Sequence, residues 1–228
     1  MERYLAYTPL LIEGLKVTLA IYVCALVLAV TFAIVAGVVR FAGPTWLRWP
    51  VVAVVEFLRG TSCFVQLFWG FFALPMLGIT LTPFVTSVVI LGLNSGSFGS
   101  EVVRGALEAV PRGQREAARA LNYSPFRTFV HVLAPQAARI AIRPAANLFV
   151  DLLKLTPLTS LVTVSDLTRN AMIMRSQTGS TLVTLLVIFA VYFVLASLIY
   201  AAMNRLEARL LRRSAARRSA PGGEGVTA

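Results

Sequence analysis

The sequence predicts an all-α membrane protein with five transmembrane helices, its N-terminus outside the cell and its C-terminus inside. The first observation is composition, because 57% of the 228 residues are hydrophobic, 14% are charged and the mean hydropathy is +0.77. Soluble domains are less apolar. The second is run length, since Val17–Val39 and Thr178–Met203 hold 23 and 26 residues without a charge. A spanning helix needs about 20 apolar residues, so these runs are predicted as the first and last spans.

Three weaker apolar segments lie between these two runs. The first is interrupted by Glu56 and Arg59, the second is rich in glycine and serine, and the third contains Asp151 and Lys154. Each is still long enough to cross a bilayer as a helix. The predicted middle spans are Pro50–Leu77, Thr82–Ser100 and Pro144–Val164.

The third observation is the distribution of basic residues, which predicts the topology. Arg104–Arg143 carries seven arginines and Arg205–Arg218 carries six. Because cytoplasmic loops collect Lys and Arg, both segments are expected inside, and five spans then place the N-terminus outside. The net charge of +11 is therefore explained by topology and does not indicate nucleic-acid binding. The predicted divisions are an external segment 1–13, a membrane domain 14–207 and a basic, disordered tail 208–228 that contacts membrane lipid.

The residue inventory indicates neither a metal site nor an ATPase. One histidine and two cysteines are too few for a metal cluster, and Cys24 and Cys63 both fall in apolar segments. The two lysines, Lys16 and Lys154, do not belong to a phosphate-binding loop. The chain is therefore predicted to be no enzyme and to hold no cofactor.

Three acid–base pairs share one spacing in or beside the weaker spans. At i and i+3 on a helix, each acid and its base lie on the same face. Ionisable groups at membrane depth are costly and normally face the protein interior or a water-filled path. The pairs are interpreted as the lining of a polar route, as structural pins, or as side chains near the membrane interface that reach water. They are Glu56/Arg59, Glu101/Arg104 and Asp151/Lys154.

The segment ILGLNSGSFGSE in the third span predicts close helix packing. Gly92 and Gly96 form a GxxxG pattern, continued by Ser100, which lets two helix backbones approach. Asn94 lies between them and is expected either to line a pathway or to make an interhelical hydrogen bond.

A polar segment in the middle of the chain predicts a compact helix-turn-helix. Gln114–Leu121 has strong helix formers, and Asn122 follows where a left-handed residue ends a helix. Ser124 is expected to cap a second short helix that starts at Pro125 and ends at Pro135. The narrow, alanine-rich apolar face of Gln114–Leu121 fits the docking of a soluble partner better than it fits contact with a lipid surface.

This segment resembles the coupling motif E-A-A-x3-G-x9-I-x-L-P of the membrane-spanning subunits of bacterial ATP-binding-cassette (ABC) importers, in their polar amino-acid branch. The residues at the motif's positions are Glu116, Ala117, Ala118, Asn122, Val132, Ala134 and Pro135. The resemblance extends to VPRGQ at 110–114, PQAAR at 135–139, GLKVTLA at 14–20, EFLRGT at 56–61, LPMLGI at 74–79, EVVRG at 101–105 and VSDL at 164–167.

The resemblance implies a type-1, MetI-like permease in the bacterial inner membrane. It implies coupling helices at about 112–134 that dock on an ABC ATPase dimer, which binds ATP-Mg. It also implies a second permease copy or paralogue and an extracytoplasmic solute-binding protein. The expected coupling residues are Gly113, Gln114, Glu116, Ala117, Ala118, Leu121, Asn122 and Pro135. The candidate pathway residues are Glu56, Arg59, Asn94, Glu101, Arg104, Asp151, Lys154 and Thr156.

Three departures from the family pattern near the expected transport path leave the substrate open. Ser62 stands where Pro is usual, Gly96–Ser100 differs from the usual Ala-Tyr-rich run, and Pro157 stands where Ser is usual. Two further departures lie in the coupling motif: Asn122 replaces its glycine, which the turn explains, and Ala134 replaces its leucine, which is expected to affect the choice of ATPase partner. The substrate is expected to be a polar amino acid or a related zwitterion, including a compatible solute such as ectoine. Two other classes remain as alternatives: a secondary transporter, although no internal repeat is found, and a membrane adaptor that transports nothing.

Overall fold

The computed structural model describes residues 6–218, with side chains described as far as residue 209, and this part of the chain is helical without strands. We number its nine α-helices in chain order. Two π-helical turns, Trp69–Ala73 and Phe129–Leu133, and two 3-10 turns, Leu74–Leu77 and Thr156–Val162, extend or join them. The α-helices are α1 Thr8–Ala42, α2 Thr45–Gly60, α3 Cys63–Phe68, α4 Pro83–Glu108, α5 Arg112–Ala120, α6 Pro125–Thr128, α7 Ala134–Leu155, α8 Leu167–Thr178 and α9 Thr181–Arg218.

Length and composition mark three membrane-crossing stretches among the described residues: Thr8–Ala42, Pro125–Val162 and Thr181–Arg209. A fourth arises if α2 and the helical segment Cys63–Leu77 are taken together as one bent span. The remaining predicted span, Thr82–Ser100, forms α4, a helix of 26 residues and about 39 Å at 1.5 Å per residue. It is long enough to cross a bilayer but is not apolar enough to be counted with the others. The count of five therefore stays a prediction.

The predicted span Pro50–Leu77 is wrong as a single helix. The chain bends by 103° between α2 and Cys63–Leu77, because Thr61 and Ser62 adopt extended backbone conformations. The side-chain amide of Gln66 fastens the bend by donating to Leu58 O at 2.8 Å and to Thr61 Oγ1 at 2.6 Å. The break sits in a Gly-Thr-Ser sequence, where helix propensity is low.

The prediction that Pro135 ends a helix is also wrong. The chain continues from α6 through the π turn Phe129–Leu133 directly into α7, and Pro135 occupies the start of that helix. The π turn interrupts the regular α-helical hydrogen-bond ladder, and a proline near a helix start costs little because its missing N–H is not needed there. Pro144, predicted to begin a span, lies inside α7.

Both chain ends are more helical than predicted. The external segment 1–13 overlaps α1, which begins at Thr8, while residues 1–5 lie outside the described residues. Of the tail 208–228, predicted to be disordered, residues 208–218 continue α9, consistent with their Leu, Ala and Arg content. Residues 219–228 lie outside the described part, so the prediction of disorder is untested there.

Helices α1 and α4 pack along their length through small residues, as the GxxxG pattern predicts. A Cβ atom added to Gly96 would lie 2.9 Å from Ala29 O, and one added to Gly92 would lie 2.8 Å from Leu28 Cδ2. Such contacts leave no room for a side chain, so the packing role of both glycines is confirmed.

Two buried apolar clusters hold the bundle together. The larger one joins α1, α3, α4, α7 and the segment before α8, and includes Ile21, Leu67, Leu91 and Leu153. The smaller, which we call the basal cluster, contains Ala106, Leu107, Val110, Leu133 and Ala137. Partly buried Phe41 of α1 packs against it. The basal cluster lies where α4 ends and α7 begins, so its residues directly precede and follow the polar segment in the chain.

Candidate functional site

The polar segment folds largely as predicted. α5 runs from Arg112 to Ala120, and Asn122 adopts the left-handed conformation with a φ of 57°. The Ser124 hydroxyl accepts a hydrogen bond from Arg127 N at 3.3 Å, which caps α6. Local residue preferences were sufficient to predict this turn because all of its stabilising contacts lie within a few residues.

Most of the expected coupling residues are exposed. The exception is Ala118, which is 3% exposed and packs inside the chain, so it is not available for the partner contact expected of it. Leu121 and Phe126 are 69% and 75% exposed, so the turn after α5 presents two large apolar side chains. The sequence interpretation did not include Phe126 among the coupling residues. Its position directly after the Ser124-Pro125 cap, in the turn region of the segment, could have suggested that it is exposed. The accessible coupling residues are Gly113, Gln114, Glu116, Ala117, Leu121, Asn122 and Pro135.

Side-chain contacts attach α5 to three helices of the bundle, α1, α4 and α7. The Arg115 guanidinium donates to Leu107 O of α4 at 3.1 Å and lies 4.9 Å from the centroid of the Phe41 ring on α1. The Gln136 amide on α7 donates to Gln114 Oε1 at 3.4 Å. Together with the basal cluster, these contacts connect the exposed surface to the bundle.

All three predicted acid–base pairs form. Arg59 lies 3.3 Å from Glu56, Lys154 lies 3.3 Å from Asp151, and Arg104 is hydrogen-bonded to Glu101. Arg104 also bonds Glu108 at 2.6 Å, and Arg59 lies 3.5 Å from Glu101. The first two pairs along the chain therefore belong to one network that joins α2 and α4.

The centre of this network is Arg40, which the sequence interpretation missed. Its side chain is 8% exposed and lies 3.0 Å from Glu101 and 3.4 Å from Glu56, and it donates to Ser100 Oγ at 3.1 Å. Arg40 directly follows the first apolar run, a position normally taken by a cation that reaches the membrane surface. No local pattern reveals that α2 and α4 enclose it. Because Glu56, Arg59, Glu101 and Arg104 bond mainly to one another and to Arg40, the structure favours the interpretation that they are pins.

Asn94 makes interhelical hydrogen bonds. Its side chain is 4% exposed and donates to Leu58 O at 3.1 Å and to Gln66 Oε1 at 3.2 Å. Gln66, a second residue missed from the sequence, thus connects α4 to both sides of the 103° bend. Thr156 is fully buried and donates to Leu153 O at 2.8 Å, so it does not line an open surface in this chain.

Asp151 and Lys154 differ from the other charged pairs because they are open to the surroundings. Their side chains are 61% and 63% exposed, and both line a groove of about 710 Å³ between α7 and α9. Polar side chains continue along the groove. Such a surface can offer both an anion and a cation to a molecule that enters it. The other polar lining residues are Asn147, Ser197, Tyr200 and Asn204.

A buried carboxyl group lies at the other end of the bundle, beyond the third predicted middle span. Asp166 caps α8 by accepting a hydrogen bond from Arg169 N at 2.9 Å. Burial raises the pKa of the Asp166 carboxyl to about 6, although nearby N–H groups oppose the shift. Next to it, Leu167 N donates to Thr18 Oγ1 of α1 at 3.0 Å.

Comparison with known proteins finds the same pattern over most of the chain. Residues 20–212 match the family model described as binding-protein-dependent transport system inner membrane component. A probable amino-acid ABC transporter permease of Sinorhizobium fredii is 35% identical over 90% of this chain and 89% of its own length. The L-cystine transport system permease of Bacillus subtilis is 30% identical over 91% and 89%.

A solved structure supports the same fold. A crystal structure of an amino acid ABC transporter with histidines superposes with a TM-score of 0.84 at 29% identity. The match covers 90% of this chain and 96% of that one.

Proposed function

The chain belongs to the binding-protein-dependent transport system inner membrane component family, and on this premise we propose that it forms half of the pathway of an ATP-driven amino-acid importer. Its fold is that of a type-1, MetI-like ABC importer permease. The chain acts in the bacterial inner membrane, where the family's proteins reside. Import then requires an ATPase dimer, a second permease copy or paralogue, and an extracytoplasmic solute-binding protein.

The observation that carries this proposal is the exposed surface of α5 and the following turn. Glu116 is exposed on α5, and the turn after it presents the exposed apolar side chains of Leu121 and Phe126. A segment with an exposed carboxylate and exposed apolar side chains suits a protein cleft that offers a cation and an apolar pocket. The sequence has no phosphate-binding loop, so ATP-Mg binds on the partner ATPase.

The groove between α7 and α9 is the best candidate for contact with the transported solute. Charged side chains facing lipid are costly, so the exposed pair Asp151 and Lys154 must face water or the second permease copy. An amino acid carries one carboxylate and one ammonium group. Lys154 offers a cation to the carboxylate, and Asp151 offers an anion to the ammonium group.

Transport follows if closure of the ATPase dimer displaces α5 and this displacement tilts the helices on which α5 rests. ATP binding must then stabilise one arrangement of the helices more than the other, because a ligand shifts an equilibrium only through its differential affinity. Release of ATP products returns the bundle to the first arrangement. The two states expose the groove alternately to the two sides of the membrane.

An amino acid is the proposed cargo because the relatives compared above are named for amino acids. Those names give no support to ectoine, so we do not carry that alternative forward. A secondary transporter would move solute without an ATPase, and an adaptor would bind its partner without solute flux.

The decisive experiment is charge reversal at Glu116 in the importer reconstituted with the ATPase and binding protein expected to be encoded beside this chain. Glu116→Lys should abolish ATPase association and ATP-driven uptake of labelled amino acids while membrane insertion stays normal. Glu13→Lys is the matched control, because Glu13 is exposed on α1, far along the chain from α5. Wild-type uptake by Glu116→Lys, or equal loss in both variants, would refute docking through this surface.

A further inference from the structure

Helix α5 has little apolar surface with which to hold its position. Of its nine residues, Ala118 is the buried one, and the helix follows α4 after a connection of three residues, Ala109–Pro111. A short polar helix on such a connection is free to pivot unless side chains fasten it.

Arg115 donates a hydrogen bond to a carbonyl group of α4 that cannot be satisfied within α4 itself. In a continuing α-helix, Leu107 O would accept a hydrogen bond from the N–H group four residues later. That residue is Pro111, which has no N–H. The Arg115 guanidinium donates to Leu107 O instead, at 3.1 Å. Its positive charge also faces the negative end of the α4 dipole.

The same guanidinium reaches a second helix. It lies 4.9 Å from the centre of the Phe41 ring, within the range of a cation–π interaction. Phe41 lies near the end of α1 and packs against the basal cluster. The planar guanidinium suits both contacts at once, because its edge donates a hydrogen bond while its face stacks.

Arg119 shows that charge alone does not explain these contacts. It lies four residues later on α5 and is exposed. Within the described part of the chain, Arg115 makes the one side-chain hydrogen bond from α5 to α4. The two arginines therefore differ in attachment while sharing a helix and a charge.

We propose that Arg115 is the positioning residue that fixes α5 to the ends of α1 and α4, so that displacement of α5 by the ATPase moves these two helices. This inference rests on the proposed function. Without the contacts of Arg115, α5 still docks on the ATPase and keeps the hydrogen bond from Gln136 to Gln114, but it is no longer held to α1 and α4 and can pivot about Pro111. Part of the displacement that the ATPase imposes on α5 is then not transmitted to α1 and α4.

The test compares Arg115→Gln with Arg119→Gln and wild type in the reconstituted importer. Arg115→Gln should retain ATPase association and the ATP hydrolysis stimulated by loaded binding protein, whereas the solute imported per ATP falls by at least about twofold. Arg119→Gln should keep the wild-type ratio. A proportional loss of hydrolysis and import, or an unchanged ratio in Arg115→Gln, overturns the proposal.

Hydrogen exchange on the purified full chain tests the fastening without the ATPase. Amides of residues 112–120 should exchange at least about twofold faster in Arg115→Gln than in wild type or Arg119→Gln, and α4 amides before residue 104 should be unaffected. Equal exchange in all three proteins overturns the proposal. Absence of ATP-driven import by the wild type would instead contradict the proposed function itself.

Discussion

The α1–α4 contact provides a quantitative test of the packing, because one helix offers both a crowded and an open glycine. A Cβ atom at Gly96 would lie 2.9 Å from Ala29 O and 3.1 Å from Ala29 Cα. Both are backbone atoms, which cannot rotate away. A Cβ atom at Gly105, further along α4, would have no neighbour within 4 Å.

The same substitution should therefore stabilise the protein at Gly105 and fail to stabilise it at Gly96. Alanine is favoured over glycine inside a helix by about 1 kcal/mol, and this gain should appear fully in Gly105→Ala. At Gly96, separation of α1 from α4 opposes the gain, since overpacking costs about 1–3 kcal/mol. Gly96→Ala should accordingly be less stable than Gly105→Ala by about 1–3 kcal/mol.

Thermal unfolding of both variants in the same detergent measures this difference. At about 2–4 °C per kcal/mol for a chain of this size, Gly96→Ala should unfold roughly 2–12 °C below Gly105→Ala. The wild-type protein should fall below Gly105→Ala. If Gly96→Ala were as stable as Gly105→Ala or more stable, helices α1 and α4 would not pack as closely as described.

Three further perturbations test other parts of the bundle. Arg40→Met should lower the free energy of unfolding by about 1–3 kcal/mol. This is less than the ~3–5 kcal/mol lost when a fully buried ion pair is broken, because Glu101 still pairs with Arg59 and Arg104. Thermal unfolding measures the loss, and Arg48→Met, whose side chain is exposed, is the control that should not show it. The pKa of Asp166 is raised in the folded state, so protonation of this carboxyl stabilises the fold. The stability of the wild type relative to Asp166→Asn should therefore fall as pH rises from 3.8 to about 6 and stay level at higher pH. Parallel pH profiles of the two proteins would contradict this. Lys154→Ala should lower the apparent affinity of uptake for the solute while the amount of assembled complex stays unchanged. A change in expression level alone would assign Lys154 a structural role.

Features set by neighbouring residues were predictable from the sequence. The left-handed Asn122, the Ser124 cap and the acid–base pairs depend on contacts within four residues. The GxxxG pattern likewise marked the close contact of α4, because only glycine leaves the backbone bare.

Features set by tertiary contacts were not predictable in this way. Burial of Arg40 requires α2 and α4 to converge on the end of α1. The 103° bend is fastened by Gln66 across positions that no local rule connects. Pro135 is a usual stop signal, and its place within a continuous helical path depends on the preceding π turn.

The open groove of α7 and α9 lies apart from the interlocked ion network of α1, α2 and α4. Asp151 and Lys154 bond to each other, whereas the six charges Arg40, Arg59, Arg104, Glu56, Glu101 and Glu108 satisfy one another elsewhere. Substitutions in the groove therefore need not disturb the ion pairs that hold α1, α2 and α4 together. If the groove contacts the solute, as proposed, a new solute preference can arise without loss of the packing of these helices.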